Sequence, residues 1–102
     1  MKRKFRVAYE EQVELDLISA VSYYNDQQKG LGARFFKEYL GQLKHIKRNP
    51  FEFQFRYDEI HAAPLKVFPF LIFYIVEDDL IIILSVIHSS QNPENWPKKP
   101  QA

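Results

Sequence analysis

Phe70-Leu71-Ile72-Phe73-Tyr74-Ile75-Val76-Glu77-Asp78-Asp79-Leu80-Ile81-Ile82-Ile83-Leu84-Ser85-Val86-Ile87-His88 is the stretch on which the fold turns. Aromatic and β-branched residues fill it on both sides of one acidic tripeptide, which reads as two strands, 70–76 and 80–87, joined by a turn at 77–79. Neither strand alternates apolar with polar residues. Such a pair predicts a sheet buried on both faces, or one face under helices and the other in a partner.

Upstream, Phe53, Phe55 and Tyr57 alternate with Gln54 and Arg56, and residues 60–67 contain Pro64, which suggests an edge or bulged strand. Two amphipathic helices precede them. Residues 10–27 place Val13, Leu17, Ala20, Val21 and Tyr24 at helical spacing, with Glu10, Glu11, Glu14 and Asp16 near the positive end. Lys29-Gly30-Leu31-Gly32 breaks that helix, with Gly30 suited to the left-handed conformation. A second helix carries Phe35, Phe36, Tyr39, Leu40, Leu43 and Ile46 on one face and stops at Asn49-Pro50, because a residue before proline avoids helical geometry. So short a link predicts an antiparallel hairpin. Residues 4–9 alternate as a short strand. The proline-rich tail at 92–100 is irregular, with Trp96 pinning part of it. The expected fold is α+β: an N-terminal strand and an antiparallel helical hairpin packed on a small antiparallel sheet, β-α-α-β-β-β, with room for a fourth strand after the helices. It forms one domain over residues 1–102, with 93–102 as the tail.

Composition narrows the classes of function. A chain of 102 residues suits one domain, and 46% hydrophobic with 16% aromatic residues supplies enough apolar surface to exclude disorder except at the ends. No cysteine is present, which excludes disulfides, thiolate metal sites and a cysteine nucleophile. His45, His61 and His88 are too widely spaced for a local zinc motif. No metal and no cofactor are expected. The longest apolar run, 67–76, is shorter than the roughly 20 residues of a membrane-spanning helix, and no apolar stretch follows the basic Met1-Lys2-Arg3-Lys4-Phe5-Arg6. The expectation is a soluble, cytoplasmic protein with no membrane partner. Fourteen Lys and Arg against thirteen Asp and Glu leave a net charge of +1, but six bases against one acid, Glu38, crowd residues 29–48. That segment reads either as a solvated face or as a surface for a polyanion or an acidic partner.

No phosphate-binding glycine loop, zinc-protease motif or serine-hydrolase elbow is present. His88 ends the most apolar strand beside Ser89-Ser90-Gln91-Asn92, where a general acid or base can sit; a strand-end histidine bonded to backbone fits the same pattern. His61 reads as a sheet-surface residue and His45 as solvated. Arg56 and Lys66 are lone bases in apolar surroundings. With His88 they could line one phosphate-binding concavity, or they are ordinary surface charges. Tyr57 and Tyr74 could stack on bases, although packing is the commoner use of tyrosine.

The ordered set of Asp16-Leu17 through Tyr23-Tyr24, Gly30-Leu31-Gly32 with Arg34-Phe35, Asn49-Pro50, Phe68-Pro69-Phe70-Leu71-Ile72-Phe73-Tyr74, Val86-Ile87-His88, and Asn92-Pro93 with Trp96 resembles the RelE/ParE family of toxins from bacterial type II toxin–antitoxin modules. The resemblance runs from Phe5 to Trp96. It implies a cognate antitoxin whose C-terminal segment wraps across the toxin, and a homodimer or a hetero-oligomer with that antitoxin. It also implies one of two activities. RelE-like members cut mRNA in the ribosome with a cluster of polar side chains, here Arg56, Lys66, His88 and Glu59. ParE-like members poison DNA gyrase and have no known hydrolytic site. Relatives often carry arginine where this chain has His61 and Gln91, and neither residue replaces the bidentate phosphate contacts of a guanidinium. The leading expectation is therefore a ParE-like toxin acting on a protein target such as gyrase. A ribosome-dependent mRNA endonuclease is the alternative, and a degenerate module kept as an antitoxin partner is the third.

Overall fold

A computed structural model describes residues 4–100. The bases Lys2 and Arg3 and the extreme ends of the expected domain lie outside them. The order is β1 (Arg6–Tyr9), α1 (Glu11–Gln27), α2 (Leu31–Arg48), β2 (Phe55–Tyr57), β3 (Ile60–Pro64), β4 (Phe70–Glu77) and β5 (Leu80–His88), followed by a 3-10 turn at Pro93–Asn95. No helix among the described residues is long and apolar enough to cross a membrane.

The strands form one sheet in the order β1-β5-β4-β3-β2. Four strands follow the helices, and the sheet is mixed: β2 to β5 pair antiparallel, while β1 runs parallel to β5 with Arg6 opposite Leu80 and Tyr9 opposite Ile83. Placing β1 there covers an edge that β5 would otherwise leave unpaired along an apolar strand. The strand expected at the edge on account of Pro64 is interior, because Pro64 is its last residue and the three-residue β2 takes the edge instead. Two-residue loops join β2 to β3 and β4 to β5: Asp58-Glu59 with φ of 43° and 62°, and Asp78-Asp79 with Asp78 at 54°.

The helices form the expected hairpin over one face of the sheet. Gly30 sits at φ 86° between them. At Gly32 an added Cβ would lie 2.5 Å from the Val21 carbonyl oxygen, so glycine is what lets α2 approach α1 so closely. The Gly32 N–H donates to Asn25 Oδ1 at 2.9 Å. The core beneath the hairpin includes Val13, Ala20, Phe35, Tyr39, Ile46, Ile72, Tyr74, Ile81 and Ile83. Phe36 and Leu40 depart from the expected apolar face of α2 and are exposed on its outer side.

The opposite face buries Ile60, Leu71, Phe73, Ile75 and Leu84. The tail crosses it. Trp96 packs 5.3 Å from Phe73 and 5.4 Å from Tyr57, ring centre to ring centre, Tyr57 donates its hydroxyl to the Pro97 carbonyl, and Lys99 pairs with Glu59 at 3.3 Å. The two-sided apolar pattern of β4 and β5 thus has helices on one side and the chain's own tail on part of the other.

Candidate functional site

Past Ile83 the chain of β1 has ended, and the outer edge of β5 is taken over by α1. The handover starts where the Glu10 N–H donates to the Ile83 carbonyl at 2.9 Å. Opposite β4, Phe73 faces Ser85 while Tyr74 faces Ile83, so Leu84 is the extra residue of a β-bulge. The bulge turns the Ser85 hydroxyl and the Val86 N–H toward α1, where both donate to Asp16 Oδ2, at 2.5 Å and 2.9 Å. Gln12 Nε2 donates to the other Asp16 oxygen at 2.8 Å. Asp16 therefore satisfies an edge donor that would otherwise be stranded beside the core. Its position was legible in part: it lies three residues after Val13 and four before Ala20, on the inward stripe of α1.

A cleft of about 510 Å³ opens between this stripe and the end of β5, and His88 and Gln91 stand on its wall with Asp16 and Tyr23. The His88 ring lies edge-on to Phe70, with centres 5.2 Å apart. Its Nδ1 accepts the Ser90 N–H at 3.0 Å and lies 2.7 Å from Ser90 Oγ, which leaves the ring proton on Nε2. An imidazole held in one tautomer can donate a hydrogen bond to a ligand in the cleft. Among the described residues no lysine or arginine lines the cleft, and the charged residue on its wall is Asp16. A phosphate here would meet repulsion rather than neutralisation.

The other expected site residues are not gathered around His88. Glu59 sits in the β2–β3 turn. By register that turn lies beside Ile75 and Ile82, six residues along β5 from His88 and hence about 20 Å away at the opposite end of the sheet. Arg56 is exposed, with its guanidinium 5.5 Å from the centre of the Trp96 ring on the tail side. Lys66 does not lie on the sheet face. It sits in the β3–β4 connection, whose Lys66, Val67 and Phe68 N–H groups donate to the Glu38 carboxylate at 2.9–3.3 Å, and it lines a separate hollow with Gln42, His45 and Glu52. Glu38, the sole acid of the basic segment, thus anchors a loop.

Tyr74 is unavailable for base stacking because it is wholly buried, donating its hydroxyl to the Pro50 carbonyl at 2.6 Å. His61 is likewise buried rather than on the surface, stacked 4.9 Å from Tyr74 and donating Nδ1–H to the Phe53 carbonyl at 2.5 Å. Both side chains point under the hairpin, where apolar alternation alone does not reveal which face of a strand is covered. Tyr57 is committed to the tail through Trp96 and Pro97. Burial raises its phenol to about 12 and pushes those of Tyr39 and Tyr74 further above the ordinary range. His45 is exposed and pairs with Glu52. Among the described residues no group of three His, Cys, Asp or Glu is placed to hold a metal ion.

On the far side of the hairpin, a groove of about 650 Å³ runs between the helices past Ile18, Val21, Ala33 and Phe36. The bases Arg34, Lys37, Lys44, Lys47 and Arg48 are all exposed along α2.

No curated protein matches the sequence at a significant level. Among solved structures the chain is similar to one described as the chromosomal ParDE TA system from P. aeruginosa, with a TM-score of 0.74 and 14% identity over 82% of this chain and 95% of that chain, a likeness of fold. The family model for the ParE toxin of the type II toxin–antitoxin system, parDE, matches residues 7–93. With most of its length matched by that model and its strand-helix-helix-sheet order shared with a ParDE structure, the chain belongs to the ParE toxin family and is a type II toxin component with a cognate antitoxin.

Proposed function

We propose that this toxin arrests growth in the cytoplasm by binding a protein target, DNA gyrase first, and that its antitoxin silences it by docking over the helices and the sheet edge. The observation that carries the reading is the His88 cleft, whose wall holds no lysine or arginine among the described residues. Cleavage of RNA by 2′-hydroxyl attack needs cations where charge develops on the phosphorus oxygens. Here Arg56 and Lys66 stand elsewhere and Glu59 lies at the other end of the sheet. The exposed apolar groove of the hairpin and the outer edge of β2, the terminal strand of the sheet, offer the antitoxin the kinds of surface that peptides use, a helix groove and a strand edge.

The test is to induce the protein without its antitoxin and to follow DNA breaks and mRNA cut sites together. Double-strand breaks with intact mRNA are expected, unchanged by His88→Ala. Codon-positioned cuts abolished by His88→Ala would establish the endonuclease instead, and harmless induction would remove both toxic activities.

A further inference from the structure

The outer face of the hairpin is complementary to itself. On α1 its exposed stripe runs Glu11, Glu14, Leu15, Ile18; on α2 it runs Phe36, Leu40, Lys44, Lys47. Spacings of three and four residues keep each set on one side of its helix, apolar at mid-length and charged at one end. Leu15 and Ile18 are 58% and 59% exposed, and Phe36 and Leu40 are 39% and 46% exposed. Among the described residues none of the four charges has an ion-pair partner.

Because the helices are antiparallel, the acidic end of α1 lies beside the basic end of α2. Two hairpins can meet face to face about a twofold axis in either of two ways. With the axis across the helices, each α1 lies on the other α1 and its acids face Ser22, Asn25 and Asp26, where there is no base. With the axis along the helices, each α1 lies antiparallel on the other copy's α2. Glu11 and Glu14 of each copy then face Lys44 and Lys47 of the other, one such contact on each side of the axis at the same end of the hairpins, and the apolar residues meet next to them at mid-length. We propose that the isolated toxin dimerises in this second arrangement, as a four-helix packing of two hairpins. A twofold contact requires one patch that is its own complement. A partner of a single sign of charge lying across both helices would set like charges together on one of the two. The proposal does not depend on which molecule the toxin attacks, and it makes self-association and antitoxin docking on the helices compete for one face.

Sedimentation of the full chain without antitoxin tests it, over concentrations from about 1 to about 100 μM, the range that resolves a micromolar dissociation constant. A dimer is expected, weakened at about 1 M salt, where charges are screened beyond roughly 3 Å. Glu11→Lys with Glu14→Lys should be monomeric, as should Lys44→Glu with Lys47→Glu. Mixed in equal amounts, the two variants should form a heterodimer, because both charged contacts are restored, one with its original signs and the other with the signs exchanged. Phe36→Ser, at a solvent-facing position, should also be monomeric while keeping its helix content by circular dichroism. A wild-type chain that stays monomeric, one that associates only when antitoxin is added, charge variants that dimerise like the parent, or a well-folded mixture that does not pair would each overturn the proposal.

Discussion

Replacing Asp16 by alanine removes the acceptor on which α1 and the bulged end of β5 are joined. Two donors lose their partner: the Ser85 hydroxyl and the Val86 N–H, both on residues that are almost wholly buried. Each hydrogen bond to a charged group contributes about 1.5–3 kcal/mol net, and an orphaned buried donor costs a similar amount. Asp16 is itself half-exposed, so water recovers part of the loss at the mouth of the cleft. We expect Asp16→Ala to cost about 3 kcal/mol. With a urea dependence of about 1.5 kcal/mol per molar, the midpoint falls by about 2 M, and the melting temperature drops by about 12–24 °C at the 4–8 °C per kcal/mol typical of this size.

Ser85→Ala removes one donor together with its need and should cost about 1 kcal/mol. Combined with Asp16→Ala it should show a coupling of about 1 kcal/mol, as expected for two groups in one network. Urea unfolding can be followed by helix circular dichroism and by the fluorescence of Trp96, the single tryptophan, which reports the opposite side of the sheet. An Asp16→Ala protein within about 0.5 kcal/mol of the parent, a change typical of plain surface sites, would refute the idea that this carboxylate holds helix to strand.

Gly32→Ala should destabilise by about 1–3 kcal/mol, because its methyl meets the Val21 carbonyl at 2.5 Å, whereas Gly41→Ala, with open space, should stabilise by about 0.5–1 kcal/mol; thermal melts of the pair decide it. Glu38→Ala should cost about 2 kcal/mol and speed hydrogen exchange at Lys66, Val67 and Phe68, whose N–H groups lose their acceptor. In alkali the buried phenols of Tyr39 and Tyr74 hold their protons above the ordinary value of 10, so the unfolded chain ionises first. Their contribution is complete below about pH 10 and falls as pH rises, by up to about 1.4 kcal/mol per pH unit for each. A urea midpoint unchanged between about pH 9 and about pH 11 would contradict that sign.

The elements themselves were legible because their signals are local. Strand runs 70–76 and 80–87, the helical spacing from Val13 to Tyr24, Gly30 in its left-handed turn, the stop at Asn49-Pro50 and the pinning of the tail by Trp96 each follow from a few neighbouring residues. The charge segregation was legible too, since a net charge of +1 is compatible with an α2 whose bases line its exposed side. What neighbouring residues do not encode is which strand pairs with which, and pairing decides what every face meets. Hydrogen bonding to the open edge of β5 sets β1 parallel to it, and the pairing of β2 with its outer edge leaves β3 inside the sheet. The bulge at Leu84 turns Ser85 toward α1 and makes Asp16 an anchor. Register alone carries Glu59 away from His88, and coverage by the hairpin turns Tyr74 and His61 from candidate surface residues into core. A strand apolar on both sides specifies that it is buried, and only the layers stacked on it specify what each side chain can reach.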